Sequence, residues 1–273
     1  MSCLEEKAMS KLKTLIKIEL EKMVCKRSTL WIALFILAIQ IAAAFFEHST
    51  LLADADLGTG FRVTVFSLKI CLQLLALILL ALSSMTLSEE IATGTAKIIL
   101  VRGVKRRDFI LGKFIAMVCI STVLVGFYHL IGLMLGHFLG GLVAVKEGEF
   151  LLFSAADLFK GFFGGMALTL CAVIALVALG CLVSILIKGS GGAVGTGIVI
   201  YFFMQILSQI DLFQKYLFTR YLFLPIDNME KLAEGIYVDW ARYAWWTIGV
   251  SAVSILIFLT VGIIIFNKRD IWH

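Results

Sequence analysis

Six long stretches of the sequence contain no Asp, Glu, Lys or Arg, and this separation of charge from apolar residues constrains the fold most strongly. The hydrocarbon core of a bilayer is about 30 Å thick, and a helix rises about 1.5 Å per residue, so about 20 apolar residues cross it. A charge at the centre of such a helix costs about 2.5 to 3.5 kcal/mol on insertion scales. The sequence therefore predicts six transmembrane helices, over residues 29–46, 70–88, 114–145, 161–187, 190–210 and 244–266.

The rest of the composition agrees with a membrane protein. Of the 273 residues, 61% are hydrophobic and 16% are charged, and the chain contains one proline. A removable signal peptide is not expected, because the first apolar run begins after about 28 residues and continues at spanning length. We expect an all-α membrane protein in which residues 1–273 form a single transmembrane permease domain.

The loop charges predict an orientation. If the connections alternate between the two sides of the membrane, sixteen of the 24 Lys and Arg residues fall on the side of the termini. The positive-inside rule then places both termini in the cytoplasm, which indicates a multi-pass protein of the cytoplasmic (inner) membrane. This topology, together with anionic membrane lipid, accounts for the net charge of +5, so nucleic acid is not expected as a partner.

The segment before the first span, residues 8–26, predicts an interfacial helix. Leu15, Ile16 and Met23 recur at helical spacing, while Lys13 and Lys17 lie on another face. Such a helix can place its apolar side at the acyl boundary and its lysines near phosphates, or it can pack as a soluble helix on a partner.

The connection before the last span, residues 211–243, contains the only proline, Pro225, and many aromatic residues. Aromatic rings with polar tips favour the headgroup level of a membrane. We expect short or re-entrant helices in the outer interface, forming either a simple aromatic belt or a gate for substrate.

Glycines repeat every four residues within several spans, which lets helix backbones approach closely. The repeats predict close packing within the chain, with a dimer face as the alternative. They are Gly132, Gly136 and Gly140, then Gly161 and Gly165, and then Gly191 and Gly195.

Residues for catalysis or metal binding are sparse. The six cysteines form no CxxC pair and are interpreted as small apolar fillers. His129 and His137 are interpreted as neutral groups bonded to polar neighbours, since a metal site or a proton relay would need partners from other helices. The sequence contains no phosphate-binding Gly-x-x-x-x-Gly-Lys-Ser/Thr loop, so no enzyme activity and no cofactor are expected in this chain.

The charged segment 89–113 lies between the second and third spans. Its residues 91–101 predict a short helix with Ile91 and Ile98 near one face, and Gly94 would let another backbone approach. Glu89 and Glu90 come before this helix, where a negative charge suits its N-terminus. Basic residues come after this helix, where a positive charge is favourable for its C-terminus. They are Arg102, Lys105, Arg106 and Arg107.

This segment resembles the corresponding stretch of type-2 ABC transporter permeases, the membrane-spanning subunits of ABC exporters. The family pattern runs acid, Gly-Thr, an apolar helix, Arg, a small turn, two basic residues, and Gly-Lys at the start of the third span. This chain departs from the family pattern at Gly103, where the family often has proline. The matching positions here are Glu89, Glu90, Gly94, Thr95, Leu100, Arg102, Arg106, Arg107, Phe109, Gly112 and Lys113.

The resemblance implies that the short helix couples the chain to a cytoplasmic ATP-binding subunit, present in two copies, that uses ATP and magnesium. It also implies a second permease chain, most simply in a homodimer, and export of a hydrophobic or amphipathic substrate. Arg106, Arg107 and Lys113 would anchor the segment to lipid or to the partner. An ion-coupled secondary transporter and a non-transport assembly factor remain as alternatives. The residues expected to couple to the ATP-binding subunit are Glu89, Glu90, Ile91, Gly94, Thr95, Ile98 and Arg102.

Overall fold

The structure is a computed structural model that describes residues 3–24, 27–51, 59–101, 103–147 and 150–268. Within these ranges the chain forms nine helices and one antiparallel hairpin. The helices are α1 (Cys3–Val24), α2 (Arg27–Leu51), α3 (Thr59–Ala92), α4 (Thr95–Val101), α5 (Arg106–Gly140), α6 (Ala155–Leu186), α7 (Ser190–Leu207), α8 (Phe218–Ala233) and α9 (Trp240–Lys268); the strands are β1 (Val145–Glu147) and β2 (Phe150–Phe153).

Six of these helices are long and apolar enough to cross a membrane, which confirms a helical, multi-pass membrane protein. They are α2, α3, α5, α6, α7 and α9. Each predicted span corresponds to one of them, but the bounds differ. Helices α2, α3 and α9 run past both ends of their charge-free stretches, whereas α7, predicted over 190–210, ends at Leu207. The 34 residues of α3 extend about 51 Å, well beyond a core of about 30 Å. Charge limits the part of a helix that lies in hydrocarbon and does not end the helix itself.

The third apolar run, predicted as a span over 114–145, is not helical throughout. Helix α5 ends at Gly140, and Gly141 adopts a φ of 72°, a conformation that favours glycine. Val145 then begins β1, which pairs antiparallel with β2; the sequence predicts helix up to residue 145 and no strand.

Helix α6 lies at the centre of the bundle and is the most buried of the six spans. It packs against α3, α8 and α9. At Gly180 a Cβ would overlap the hydroxyl of Ser83, so α6 and α3 approach closely only because this residue is glycine. The Ser184 hydroxyl, four residues further along α6, accepts hydrogen bonds from the backbone N–H groups of Leu87 and Ser88 at 2.8 Å.

The predicted glycine repeats are used unequally. A Cβ at Gly136 would overlap α3 at Thr64, and Cβ atoms at Gly161 and Gly165 would overlap side chains of α8. These three positions therefore serve packing within the chain. Packing within the chain is wrong for Gly191 and Gly195, because a Cβ at either would have nothing within 4 Å among the described residues; the alternative of a dimer face stays a prediction there.

The bundle has two ends, named here by their contents. The terminal end carries α1, the end of α3, α4, the start of α5 and the end of α9. The far end carries the hairpin, α8 and the start of α9. Helix α1 packs along α5 of the same chain with Leu15 buried, while Lys17 is exposed on another face; the position of α1 in the membrane interface stays a prediction. Helix α8 covers part of α6 and α3, which agrees with the short helix expected before the last span.

Candidate functional site

The predicted coupling helix is shorter than expected. Helix α3 continues through Glu89 and Glu90 to Ala92, and α4 begins only at Thr95, so a single helix over 91–101 is wrong. The break lies at Gly94, whose φ of 75° suits glycine. The expected close approach of another backbone at Gly94 is not present among the described residues, because nothing there lies within 4 Å of a Cβ built on it.

Helix α4 presents two different faces. Ala96 is fully buried and packs in a cluster with Leu87, Phe109 and Ile110, and Ile91, Ile99 and Leu100 join its edge. On the other face Ile98 is 57% exposed and Val101 is 68% exposed. Gly103 closes the helix with an N–H bond to the Leu100 carbonyl and a φ of 80°, a conformation that proline cannot adopt. Arg102 lies outside the described residues.

Four charged side chains from three helices meet beside α4, and we call them the charge cluster: Glu19 and Lys22 of α1, Glu90 of α3 and Lys113 of α5. The Lys113 ammonium lies 2.8 Å from Glu19 Oε1 and 2.9 Å from Glu90 Oε1. Lys22 donates to the same Glu90 oxygen at 2.7 Å. Because two acids face two bases, the cluster is neutral as a unit.

The charge cluster is buried at its centre. Lys113 has no exposed surface, and Glu19 and Glu90 are 3% and 5% exposed. Charges taken out of water are tolerated only when they are paired, so removing one partner leaves an expensive buried charge. The prediction that Lys113 anchors to lipid or to a partner is therefore wrong, because its ammonium is held entirely inside this chain.

Glu90 also lies where the sequence analysis did not place it. It lies in the last turn of α3, where the helix dipole disfavours a negative charge, rather than before the N-terminus of a new helix. The two lysines offset that cost. Its second oxygen, Oε2, is buried and has no hydrogen-bond partner within the part of the chain that the structure describes. Glu90 therefore joins α3 to α1 and α5 and does not face outward.

Lys22 is the cluster member nearest to solvent. Burial disfavours its charged form, but the hydrogen bond and the charge of Glu90, helped by Glu19 and Glu89, outweigh burial and raise the pKa of Lys22. A cavity of about 50 Å³ lies beside it, between α1 and α3. The Lys22 ammonium therefore stays charged in the folded protein.

The start of α5 connects the charge cluster to α9. Arg106 donates to the carbonyls of Phe266 and Asn267 at 3.0 Å, so it caps the end of α9 instead of facing lipid. The Phe109 ring stacks on Phe266 with centroids 6.0 Å apart and lies 5.2 Å from the Lys113 ammonium. Arg107 is exposed, and its role as an anchor stays a prediction.

Glu19 and Lys22 were missed as functional residues. The sequence does contain a signal, because Glu19 follows the buried Leu15 by four residues and therefore interrupts the apolar face of α1. A carboxylate in an apolar stripe needs a cation, but which lysine supplies it depends on tertiary packing. Glu89 and Glu90 are the two acids predicted to couple to the ATP-binding subunit. Glu89 is half-buried, and Glu90 is paired with Lys22 and Lys113 of the same chain.

The far end contains a cavity of about 710 Å³ between β2, the start of α6 and the connection from α8 to α9. Its lining is mainly apolar, with Leu168, Leu232 and Trp240 inside and Asp157 and Lys160 among the lining residues. A cavity of this size and polarity suits an apolar or amphipathic molecule.

The two predicted histidines behave differently. His129 is buried, and its Nδ1 lies 2.8 Å from the Val125 carbonyl of its own helix, as expected for a histidine bonded to a polar neighbour. His137 lies against the Phe138 ring. Among the described residues, no group of three or more His, Cys, Asp or Glu is arranged to hold a metal ion.

Fold and site together define a multi-pass helical membrane protein with a short helix, α4, packed at one end through apolar contacts, and with a buried charge cluster that joins α1, α3 and α5. The chain belongs to a family described as a protein of unknown function, DUF2705, which matches residues 23–272. That match spans α2 to α9 and therefore includes Glu90 and Lys113. No curated protein is detectably similar to the chain.

Proposed function

We propose that this chain is the membrane subunit of an ATP-driven ABC transporter, and that α4 is the element to which a separate ATP-binding subunit binds. The observation that carries the proposal is the two-sided character of α4. One face is packed on the bundle through Ala96, while Ile98 and Val101 remain exposed on the other. Large apolar side chains on an exposed helix face are typical of a protein interface.

The charge cluster supports the second step, in which movement of α4 reaches the spans. Helix α4 follows α3 after a two-residue break, and Glu90 ties the end of α3 to α1 and α5. Arg106 extends this connection to α9. In this proposal a push on α4 displaces α1, α3, α5 and α9 together, because buried ion pairs do not separate without a large cost.

The proposal includes the remaining expectations from the sequence. The termini and α4 lie in the cytoplasm, the chain works as a homodimer in the inner membrane, and two partner subunits bind ATP and magnesium. The apolar cavity at the far end supports a hydrophobic or amphipathic substrate, and export is the direction that the family resemblance implies.

The test uses the full chain purified in lipid from its own membranes. We expect magnesium-dependent ATP hydrolysis to purify with the wild-type chain. The double variant Ile98→Glu, Val101→Glu should lose it, since two carboxylates would be buried at the interface. The matched control is Ile236→Glu, a similarly exposed isoleucine at the far end. The proposal fails if no ATP hydrolysis purifies with the wild-type chain, or if all the variants retain it equally.

A further inference from the structure

A second cavity at the far end differs from the apolar one in its chemistry. It measures about 300 Å³ and lies between the loop after α7, the start of α8 and the start of α9. Three basic side chains line it, one from each of these segments: Lys215, Arg220 and Arg242. Convergence of three cations from separate elements indicates a site for an anion.

Among the residues that the structure describes, no carboxylate pairs with these cations. Within the described ranges, none of the three forms an ion pair, whereas Lys69 and Lys160 at the same end are both paired with acids. Asp211, the acid of the same loop, accepts a hydrogen bond from Gln214 instead. Like charges held together in a cavity repel one another unless an anion binds between them.

The backbone adds to the positive potential. Helix α8 begins at Phe218 and α9 at Trp240, so the positive ends of two helix dipoles lie beside the cavity. The loop is fixed in place by Tyr221, whose hydroxyl donates to the Lys215 carbonyl at 3.0 Å. The cavity is therefore a formed feature of the fold.

The aromatic residues indicate which anion binds. Tyr243 and Trp246 line the cavity in the first turns of α9, a candidate membrane span, and Trp245 beside them is 78% exposed. Tyrosine and tryptophan at the end of a span lie at the headgroup level of a bilayer, where lipid phosphates are found. We propose that this cavity binds the phosphate of an anionic membrane phospholipid, with the acyl chains beside Trp246. Lipid binding in this cavity does not depend on the transport function.

The test is native mass spectrometry of the full chain in detergent, titrated with phosphatidylglycerol or with phosphatidylcholine. The triple variant Lys215→Gln, Arg220→Gln, Arg242→Gln should bind phosphatidylglycerol at least about tenfold more weakly, because hydrogen bonds to a charged phosphate are lost. The control variant Lys146→Gln, Lys160→Gln, Lys231→Gln removes the same charge from the same end and should change binding less than about twofold. If the triple variant does not fold, Arg242→Gln alone, at an exposed side chain, should weaken binding by a smaller factor.

Three results would overturn the proposal. The first is equal affinity of the wild-type chain for the two lipids. The second is an equal loss in the control variant, since binding would then follow net charge alone. The third is displacement of phosphatidylglycerol by excess inorganic phosphate, which would make the ligand a soluble anion.

Discussion

The two ends of the bundle each contain a lysine that bridges two carboxylates, in nearly the same geometry but in opposite surroundings. At the terminal end, Lys113 lies 2.8 and 2.9 Å from Glu19 and Glu90, and all three are buried. At the far end, Lys69 lies 3.0 and 2.7 Å from Asp227 and Glu230, with its side chain 42% exposed. Distance alone would rate these bridges as equals. Because the Lys113 bridge is buried, breaking it leaves an unpaired charge without water and destabilises the fold. The Lys69 bridge is partly exposed, so water can replace the lysine there.

The largest effect should come from breaking the buried bridge. Lys113→Met leaves the buried Glu19 without its cation and leaves Glu90 with Lys22 alone, and we expect a loss of about 3 to 5 kcal/mol in the free energy of unfolding. Thermal unfolding of the purified protein in lipid-like detergent measures it. The paired variant Glu19→Leu, Lys113→Met removes one charge of each sign and leaves Glu90 with Lys22, so part of the loss should return. No recovery would contradict the pairing of Glu19 with Lys113.

A change of opposite sign is expected at the far end. Asn228 of α8 is buried, and neither its amide nitrogen nor its amide oxygen has a partner within the described part of the chain. Asn228→Leu removes an amide that is costly to bury, so we expect a gain of about 1 to 3 kcal/mol in the free energy of unfolding. The measurement is the same unfolding curve. A loss of stability would mean that the amide has a partner in the folded protein, such as bound water or ligand.

The exposed bridge should matter least among these contacts. Lys69→Met should cost less than about 1 kcal/mol, because water solvates Asp227 and Glu230 once the lysine is gone. Added salt should weaken the wild-type bridge and so reduce even this difference. Equal losses of unfolding free energy for Lys69→Met and Lys113→Met would show that burial does not make the Lys113 bridge more important for stability than the Lys69 bridge.

The pH dependence of the Lys22–Glu90 pair gives the smallest effect. The pKa of Lys22 is raised above its ordinary value of 10.5, so the folded state holds this proton more tightly than the unfolded state. The stability that the pair adds is therefore complete below that value and is lost as the pH rises through the higher folded pKa. The difference in unfolding temperature between wild type and Lys22→Met should stay constant from neutral pH to about 10. A difference that vanishes near neutral pH would contradict the pairing.

The sequence predicts the spans well because charge exclusion from hydrocarbon is a local, additive property of residues. It does not predict where helices end, since α3 continues through Glu89 and Glu90 once Lys22 and Lys113 neutralise Glu90. The two strands β1 and β2 were not predicted, because strands of three and four residues carry a weak signal in the sequence.

The candidate site also has one part that the sequence predicts and one part that depends on tertiary packing. The position of α4 can be read from the sequence, since apolar residues between acidic and basic ones indicate a short helix outside the membrane. The partners of Glu90 cannot, because Lys113 and Lys22 are 23 and 68 residues away and only the packing of α1 on α5 brings them together. Local patterns therefore located the element, while its connection to the spans needed the tertiary structure.

The most direct test of the central claim asks what touches the exposed face of α4 in the membrane. A photo-reactive amino acid placed at position 98, and at position 236 as the far-end control, would be activated in membranes that contain the working protein. We predict that position 98 cross-links to a polypeptide with a phosphate-binding loop and that ATP changes the yield, while position 236 gives no such product. Cross-links from position 98 only to lipid, or only to a second copy of this chain, would contradict α4 as the element that receives the ATP cycle.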